Sequence, residues 1–137
     1  VDLYAGSGAL GFEALSRGAR KSVFVEANAK TAMALRTCAI ELGVEHESRV
    51  IVGRVDDVLT VARLGGPFDV IFADPPYEAN AERSLVATVG ASGLLGAGGT
   101  LVVERESRHP LEPPGGPLAL VRTVAYGRTA LDFFKYR

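Results

Sequence analysis

A single cysteine, Cys38, leaves this chain without any possible internal disulfide, and a reducing cytoplasm is the compartment to expect. Cys38 falls within a helical pattern and reads as a small packing residue. Long hydrophobic runs are missing too: the apolar stretches are strand-sized, far short of the roughly 20 residues of a membrane span. The first residues offer neither a basic lead nor a hydrophobic segment with a cleavage site, so no signal peptide is expected. His46 and His109 lie in loop-like segments without ligand spacing, so no metal is expected. Positive charge is also scarce for a nucleic-acid binder, with 15 Lys and Arg against 16 Asp and Glu. Phosphate neutralisation supplies most of such a protein's affinity. Either the substrate is not a nucleic acid, or the basic surface is local, or it lies in a segment outside these 137 residues. The chain opens at Val1, inside what reads as a strand, so we expect a single domain that lacks its amino-terminal portion.

What is present is an ordinary globular α/β composition, 47% hydrophobic and 23% charged. Short β-rich runs alternate with helical ones. Strands are expected at Val1 to Ala5, Ser22 to Glu26, Arg49 to Gly53, Phe68 to Ala73 and Thr100 to Glu104. Helices are expected at about Ala9 to Arg17, Asn28 to Leu42, Asp56 to Leu64 and Ala81 to Ala91. Asn28 reads as an N-cap, and Gly18 and Gly43 as C′ residues. Ala32, Leu35, Ala39 and Leu42 recur on one helical face. Gly96 to Gly99 reads as a turn, and Ser107 to Pro117 as a proline-rich loop. Leu118 to Ala125 and Thr129 to Tyr136 form a hairpin about Tyr126-Gly127-Arg128. Such alternation implies a mostly parallel, doubly wound sheet with right-handed crossovers, closed by an antiparallel hairpin.

Gly6-x-Gly8-x-x-Gly11 follows a strand and opens a helix, the context in which this fingerprint binds adenosine-containing ligands. Glu26 ends the second strand, where a carboxylate accepts from ribose hydroxyls. Two ligand classes fit, a nicotinamide or flavin dinucleotide and S-adenosylmethionine. Asp2 favours the second, since a carboxylate there suits a cationic methionyl amino group and repels a pyrophosphate. Asp56-Asp57 opens a helix after the third strand. Asp56 suits the adenine amino group, and equally suits an N-cap.

Asp74-Pro75-Pro76-Tyr77 stops the fourth strand. Two prolines cannot donate to a ladder, which leaves carbonyl acceptors and a carboxylate beside an aromatic ring. That arrangement suits a planar, amine-bearing ring. With the strand order 3-2-1-4-5, it falls beside the glycine loop at the switch point of the sheet.

These motifs resemble the class I S-adenosylmethionine-dependent methyltransferases of exocyclic amino groups. Asp2 to Ala19 (DLYAGSGALGFEALSRGA) and Phe72 to Tyr77 (FADPPY) are similar to the RsmD-type bacterial methyltransferases of 16S ribosomal RNA guanine N2. The similarity extends to the terminal Phe133-Phe134-Lys135-Tyr136. It implies a Rossmann-like class I methyltransferase fold, and catalysis by Asp74, Pro75, Pro76 and Tyr77. It implies cofactor contacts from Asp2, Tyr4, Ala5, Gly6, Ser7, Gly8, Gly11, Glu26, Asp56, Asp57 and Asp74. The partner implied is 16S RNA or the assembling small subunit, met by a cytoplasmic monomer, without metal or membrane. Adenine-N6 and glutamine-N5 methyltransferases share the Asp-Pro-Pro-Tyr type of motif, and a non-catalytic adenosine-ligand module or dinucleotide enzyme shares the glycine loop. In the resembling family, residues before the first strand add cofactor contacts and a basic hairpin. Arg17, Arg20, Lys21, Arg105, Arg108, Arg122 and Arg128 are candidates for an RNA surface. The short link after the fifth strand leaves little room for the helix many methyltransferases place there.

Overall fold

A computed structural model describes residues 1–78, 80–111 and 115–137. It divides into two compact units, Val1–Val58 and Leu59–Arg137.

In the first unit β1 (Asp2–Leu3) pairs in parallel with β2 (Ser22–Glu26), and β2 with β3 (Ser48–Val52). Helices α1 (Ala9–Ser16) and α2 (Ala29–Glu41) connect them, and α3 (Val55–Val58) follows. Strands β2 and β3 are Val-rich, as parallel strands are, and β2 is the buried one of the two. Phe24 and Val25 are fully buried, and the Phe24 ring packs tilted against that of Phe12 of α1 with centroids 4.7 Å apart. Burying one such side chain contributes about 1.5–3 kcal/mol. Helix α2 begins where Asn28 Oδ1 accepts from the Thr31 amide, and ends before Gly43 at φ 69°. Ala32, Leu35 and Ala39 face the core as their spacing predicts, but Leu42 is 58% exposed because the helix has already ended at Glu41.

In the second unit α4 (Val61–Leu64) leads to β4 (Phe68–Ala73), α5 (Ala81–Ser92), β5 (Leu95–Glu106) and the hairpin β6 (Leu118–Tyr126) and β7 (Thr129–Tyr136). Strand β4 is parallel to β5, and β7 lies antiparallel between β5 and β6. The strand order is β3-β2-β1 in the first unit and β4-β5-β7-β6 in the second, a mostly parallel α/β arrangement with the antiparallel hairpin at the end of the second.

Three expectations are corrected. The helix drawn from Asp56 to Leu64 is two short ones, because Thr60 is extended and its hydroxyl accepts from the Arg63 amide. Gly96 to Gly99 is not a turn before the strand but a bulge within it: Phe68 pairs with Leu95 and Val70 with Thr100. Strand β1 ends at Leu3, since Tyr4 turns left-handed at φ 59°. The loop expected at Ser107 to Pro117 falls partly outside the described residues, at positions 112–114; the described remainder holds no helix. No helix among the described residues is long and apolar enough to cross a membrane.

Candidate functional site

In the first unit, three left-handed residues shape the loop after β1: Tyr4, Gly6 at φ 54° and Gly8 at φ 79°. A left-handed tyrosine costs on the order of 1–2 kcal/mol, and such strain gathers at functional loops. The turn is held by the Ala5 amide donating to the Val25 carbonyl at 2.9 Å, and the Gly8 amide to that of Ala5 at 2.8 Å.

The three glycines divide their work. A methyl group on Gly8 would lie 2.5 Å from Leu35 Cδ2, and one on Gly11 would collide with the Phe24 ring. Both positions let α1 sit tightly on the core. Only Gly6 opens outward, with no atom within 4 Å of a Cβ built there. Ser7 beside it is exposed, while Ala5 is buried beneath.

Glu26 grips this loop. Its Oε2 accepts from the Gly6 amide at 2.8 Å and its Oε1 from the Asn28 amide at 3.1 Å. The side chain remains half-buried, so each oxygen keeps a lone pair for a ligand. A carboxylate fixed in this way, beside an open backbone turn, fits the vicinal hydroxyls of a ribose.

Asp2 has a structural task as well. It is buried, and its Oδ2 accepts from the Gly11 amide at 3.0 Å. Helix α1 has Gly8 at its N-cap, with no side chain to satisfy the orphan amides there, and Asp2 supplies that acceptor from β1. Asp56 and Asp57 occupy the first turn of α3, not its N-cap, because the helix begins one residue earlier at Val55. Both are exposed, and Asp56 lies 3.9 Å from the Arg54 guanidinium. Their charge there complements the helix dipole.

In the second unit, β4 stops at Ala73, and Asp74 to Tyr77 follow without regular structure. Pro75 is buried, anchoring the turn, while Asp74 and Pro76 are exposed. Tyr77 is 81% exposed, an aromatic face with nothing stacked on it among the described residues. The Pro76 carbonyl accepts from the Glu78 amide at 2.7 Å. Desolvation by partial burial raises the pKa of Asp74 above the ordinary carboxylate value.

Glu104 was missed in the sequence. It is half-buried on β5, just past the Ala73–Val103 pair, and its pKa is raised by desolvation and then by the Asp74 charge. Among the described residues neither carboxylate has a hydrogen-bond or ion-pair partner. The only sequence signal was a glutamate closing an apolar strand.

Of the basic candidates, Arg105 is corrected: it is buried, with Nε 2.6 Å from Asp132 Oδ2. Arg122 lies over the Phe133 ring, 5.7 Å from its centroid. Arg17 pairs with Glu13 on the exposed face of α1. Arg20, Lys21, Arg108 and Arg128 are exposed.

The family described as conserved hypothetical protein 95 matches residues 1–135. The chain belongs to that family. Its resemblance to the RsmD-type methyltransferases is thereby borne out, as is its Rossmann-like methyltransferase fold. YlbH of Bacillus subtilis (strain 168), an rRNA methyltransferase by name, is 30% identical over 138 residues, covering 100% of this chain and 75% of YlbH. Ribosomal RNA small subunit methyltransferase D of Haemophilus influenzae is 33% identical over 115 residues, covering 83% of this chain and 60% of that protein. Among solved structures, yhhF from Escherichia coli, named a methyltransferase, superposes with a TM-score of 0.85 at 26% identity, over 99% of this chain and 75% of that one.

Proposed function

We propose that residues 1–137 are the catalytic domain of an enzyme that methylates the exocyclic N2 of a guanine in small-subunit ribosomal RNA, with S-adenosylmethionine as donor. The observation that carries this reading is the uncommitted Asp74 carboxylate beside the exposed ring of Tyr77, on a turn made rigid by two prolines. The names of the relatives support RNA as the substrate. The enzyme is expected to work as a cytoplasmic monomer on RNA or an assembling subunit.

An aryl amine is a weak nucleophile because its lone pair is delocalised into the ring. Asp74 and the Pro75 carbonyl would accept its two N–H bonds, favouring a pyramidal nitrogen whose lone pair is aimed for attack. Tyr77 would stack on the base, a contact worth about 1–3 kcal/mol. The base must be unpaired or flipped out to reach it. S-adenosylmethionine, when bound, supplies an electrophilic methyl on a sulfonium. Glu26 would hold its ribose hydroxyls, the open backbone at Gly6 would admit it closely, and the Asp2 carboxylate would meet its amino group. Tyr4, Ala5, Ser7 and Gly8 would shape the same cradle, and Asp56 or Asp57 would accept from the adenine amine.

Glu26→Ala is expected to weaken S-adenosylmethionine binding by about 10- to 100-fold, the loss of hydrogen bonds to a charged acceptor. Calorimetric titration measures it, and tight NAD binding in place of S-adenosylmethionine would replace this reading with that of a dinucleotide enzyme. The base is tested by incubating the full-length protein with labelled S-adenosylmethionine and 16S RNA or small subunits, then digesting to nucleosides. N2-methylguanosine is the expected product, and N6-methyladenosine would reject guanine.

A further inference from the structure

Strands β4 and β5 run parallel with Ala73 opposite Val103, so Asp74, the first residue past β4, and Glu104 on β5 come next along the two chains. Neighbouring strands lie about 4.8 Å apart. Val103 is buried on one face of β5, and alternation along that strand turns Glu104 to the other, where the Asp74 charge reaches it. Two carboxylates thus stand abreast where β4 ends, with the aromatic ring of Tyr77 three residues on. Glu104 follows three buried apolar residues, Leu101 to Val103, where partial burial without a hydrogen-bond donor is unfavourable. The Asp74 charge is felt at Glu104, which makes the pair more unfavourable still until donors reach it. Two adjacent acceptors call for a ligand with two adjacent donors.

The candidate amines differ in this respect. The N2 amine of guanine has the N1–H donor beside it. The N6 amine of adenine is flanked by two acceptors, N1 and N7, and the N4 amine of cytosine has the N3 acceptor. A glutamine carboxamide carries its own carbonyl oxygen next to the nitrogen. Only guanine offers a second donor to a second carboxylate; each of the others would set a lone pair against it.

We propose that Glu104 is the specificity-determining residue of this site, accepting from guanine N1–H while Asp74 accepts from the N2 amine. This rests on the reading of Asp74 as the holder of an exocyclic amine, and it supplies what the Asp-Pro-Pro-Tyr turn by itself does not, the choice of base. The carboxylate of Glu104 acts by attraction to one edge and by repulsion of the others, both of which specificity requires. A site built around a partly desolvated acceptor rejects an analogue without the matching donor more strongly than a shape-fitted pocket would.

The test uses 2-aminopurine, which keeps the 2-amino group but carries an N1 acceptor in place of N1–H. Full-length protein is given substrate RNA holding either guanine or 2-aminopurine at the nucleotide where methylation is mapped. Wild type is expected to prefer guanine by about 10- to 100-fold, the loss of a charge-assisted hydrogen bond. In Glu104→Gln, whose amide offers a donor as well as an acceptor, the preference should shrink to within a few-fold of unity. Glu104→Ala should also flatten it. Because each variant is judged by its own ratio of two substrates, partial misfolding does not imitate the effect. An unchanged preference in Glu104→Gln overturns the role of Glu104 and leaves the methyltransferase reading standing. No N2-methylguanosine from wild type overturns both.

Discussion

Asp74→Ala is expected to lower methyl transfer by at least about 10²- to 10³-fold while leaving S-adenosylmethionine binding within a few-fold of wild type. The magnitude is that of removing one preorganised group that holds the reacting atoms in place. Single-turnover transfer from labelled donor measures the first quantity and calorimetry the second. Equal loss of both would show that Asp74 belongs to the cofactor cradle and not to the amine. Asp74→Asn separates chemistry from architecture. The Asp74 pKa is raised in the folded protein, so its ionised form is disfavoured there. The sign follows: the folded state holds its proton to higher pH than the unfolded chain, and ionisation at neutral pH opposes folding. Asn removes that charge, so the variant should melt no lower than wild type while losing transfer. A lower melting temperature would assign Asp74 a structural role. On acidification, transfer should fall at a pH above the ordinary carboxylate range, because the protonated acid no longer serves as a full acceptor.

How much of this was legible follows from which residues act locally. Strand β4 appears as expected, Phe68 to Ala73, because Gly65-Gly66-Pro67 and Pro75-Pro76 bracket it with residues that cannot extend a ladder. Helix α2 is bounded by Asn28 and Gly43 as their chemistry dictates. Glu26 met the glycine loop because a strand end twenty residues on is a fixed geometric offset in a βαβ unit. What escaped depends on register. Nothing local distinguishes the bulge at Gly96 to Gly99 from a turn, and that bulge decides which β5 residue stands beside Asp74. Without it Glu104 has no neighbour that can be named. Asp2 read only as a ligand group, but its Oδ2 also accepts from an amide at the start of α1, since Gly8 at the N-cap has no side chain to do so. Arg105 looked like surface charge because its partner is 27 residues away across a hairpin.

Asp132→Ala is expected to destabilise the protein by about 3–5 kcal/mol, a large part of the roughly 5–15 kcal/mol that holds a domain folded. Asp132 is fully buried on β7 and takes two hydrogen bonds from Arg105, Nε to Oδ2 at 2.6 Å and a second guanidinium nitrogen to Oδ1 at 3.2 Å. The Thr123 hydroxyl of β6 donates to Oδ1 at 2.6 Å. The third guanidinium nitrogen donates to the carbonyls of Glu106 and His109, tying down the chain as it leaves β5. One carboxylate therefore joins β5, β6 and β7. Removing it leaves a guanidinium in the interior with no counter-charge, so the cost comes from the stranded cation more than from the lost bonds. Urea unfolding measures it, and a loss under 1 kcal/mol would mean that the cation escapes to solvent. The double variant Arg105→Leu with Asp132→Leu discriminates further. If the stranded charge is the cause, replacing both partners by apolar side chains should restore most of the stability, although Thr123 then loses its acceptor. Transfer should not recover in step. Arg105 is the residue after Glu104, and its four hydrogen bonds to Asp132, Glu106 and His109 hold that part of β5 in place, so the double variant should fold well and still discriminate guanine from 2-aminopurine less sharply than wild type.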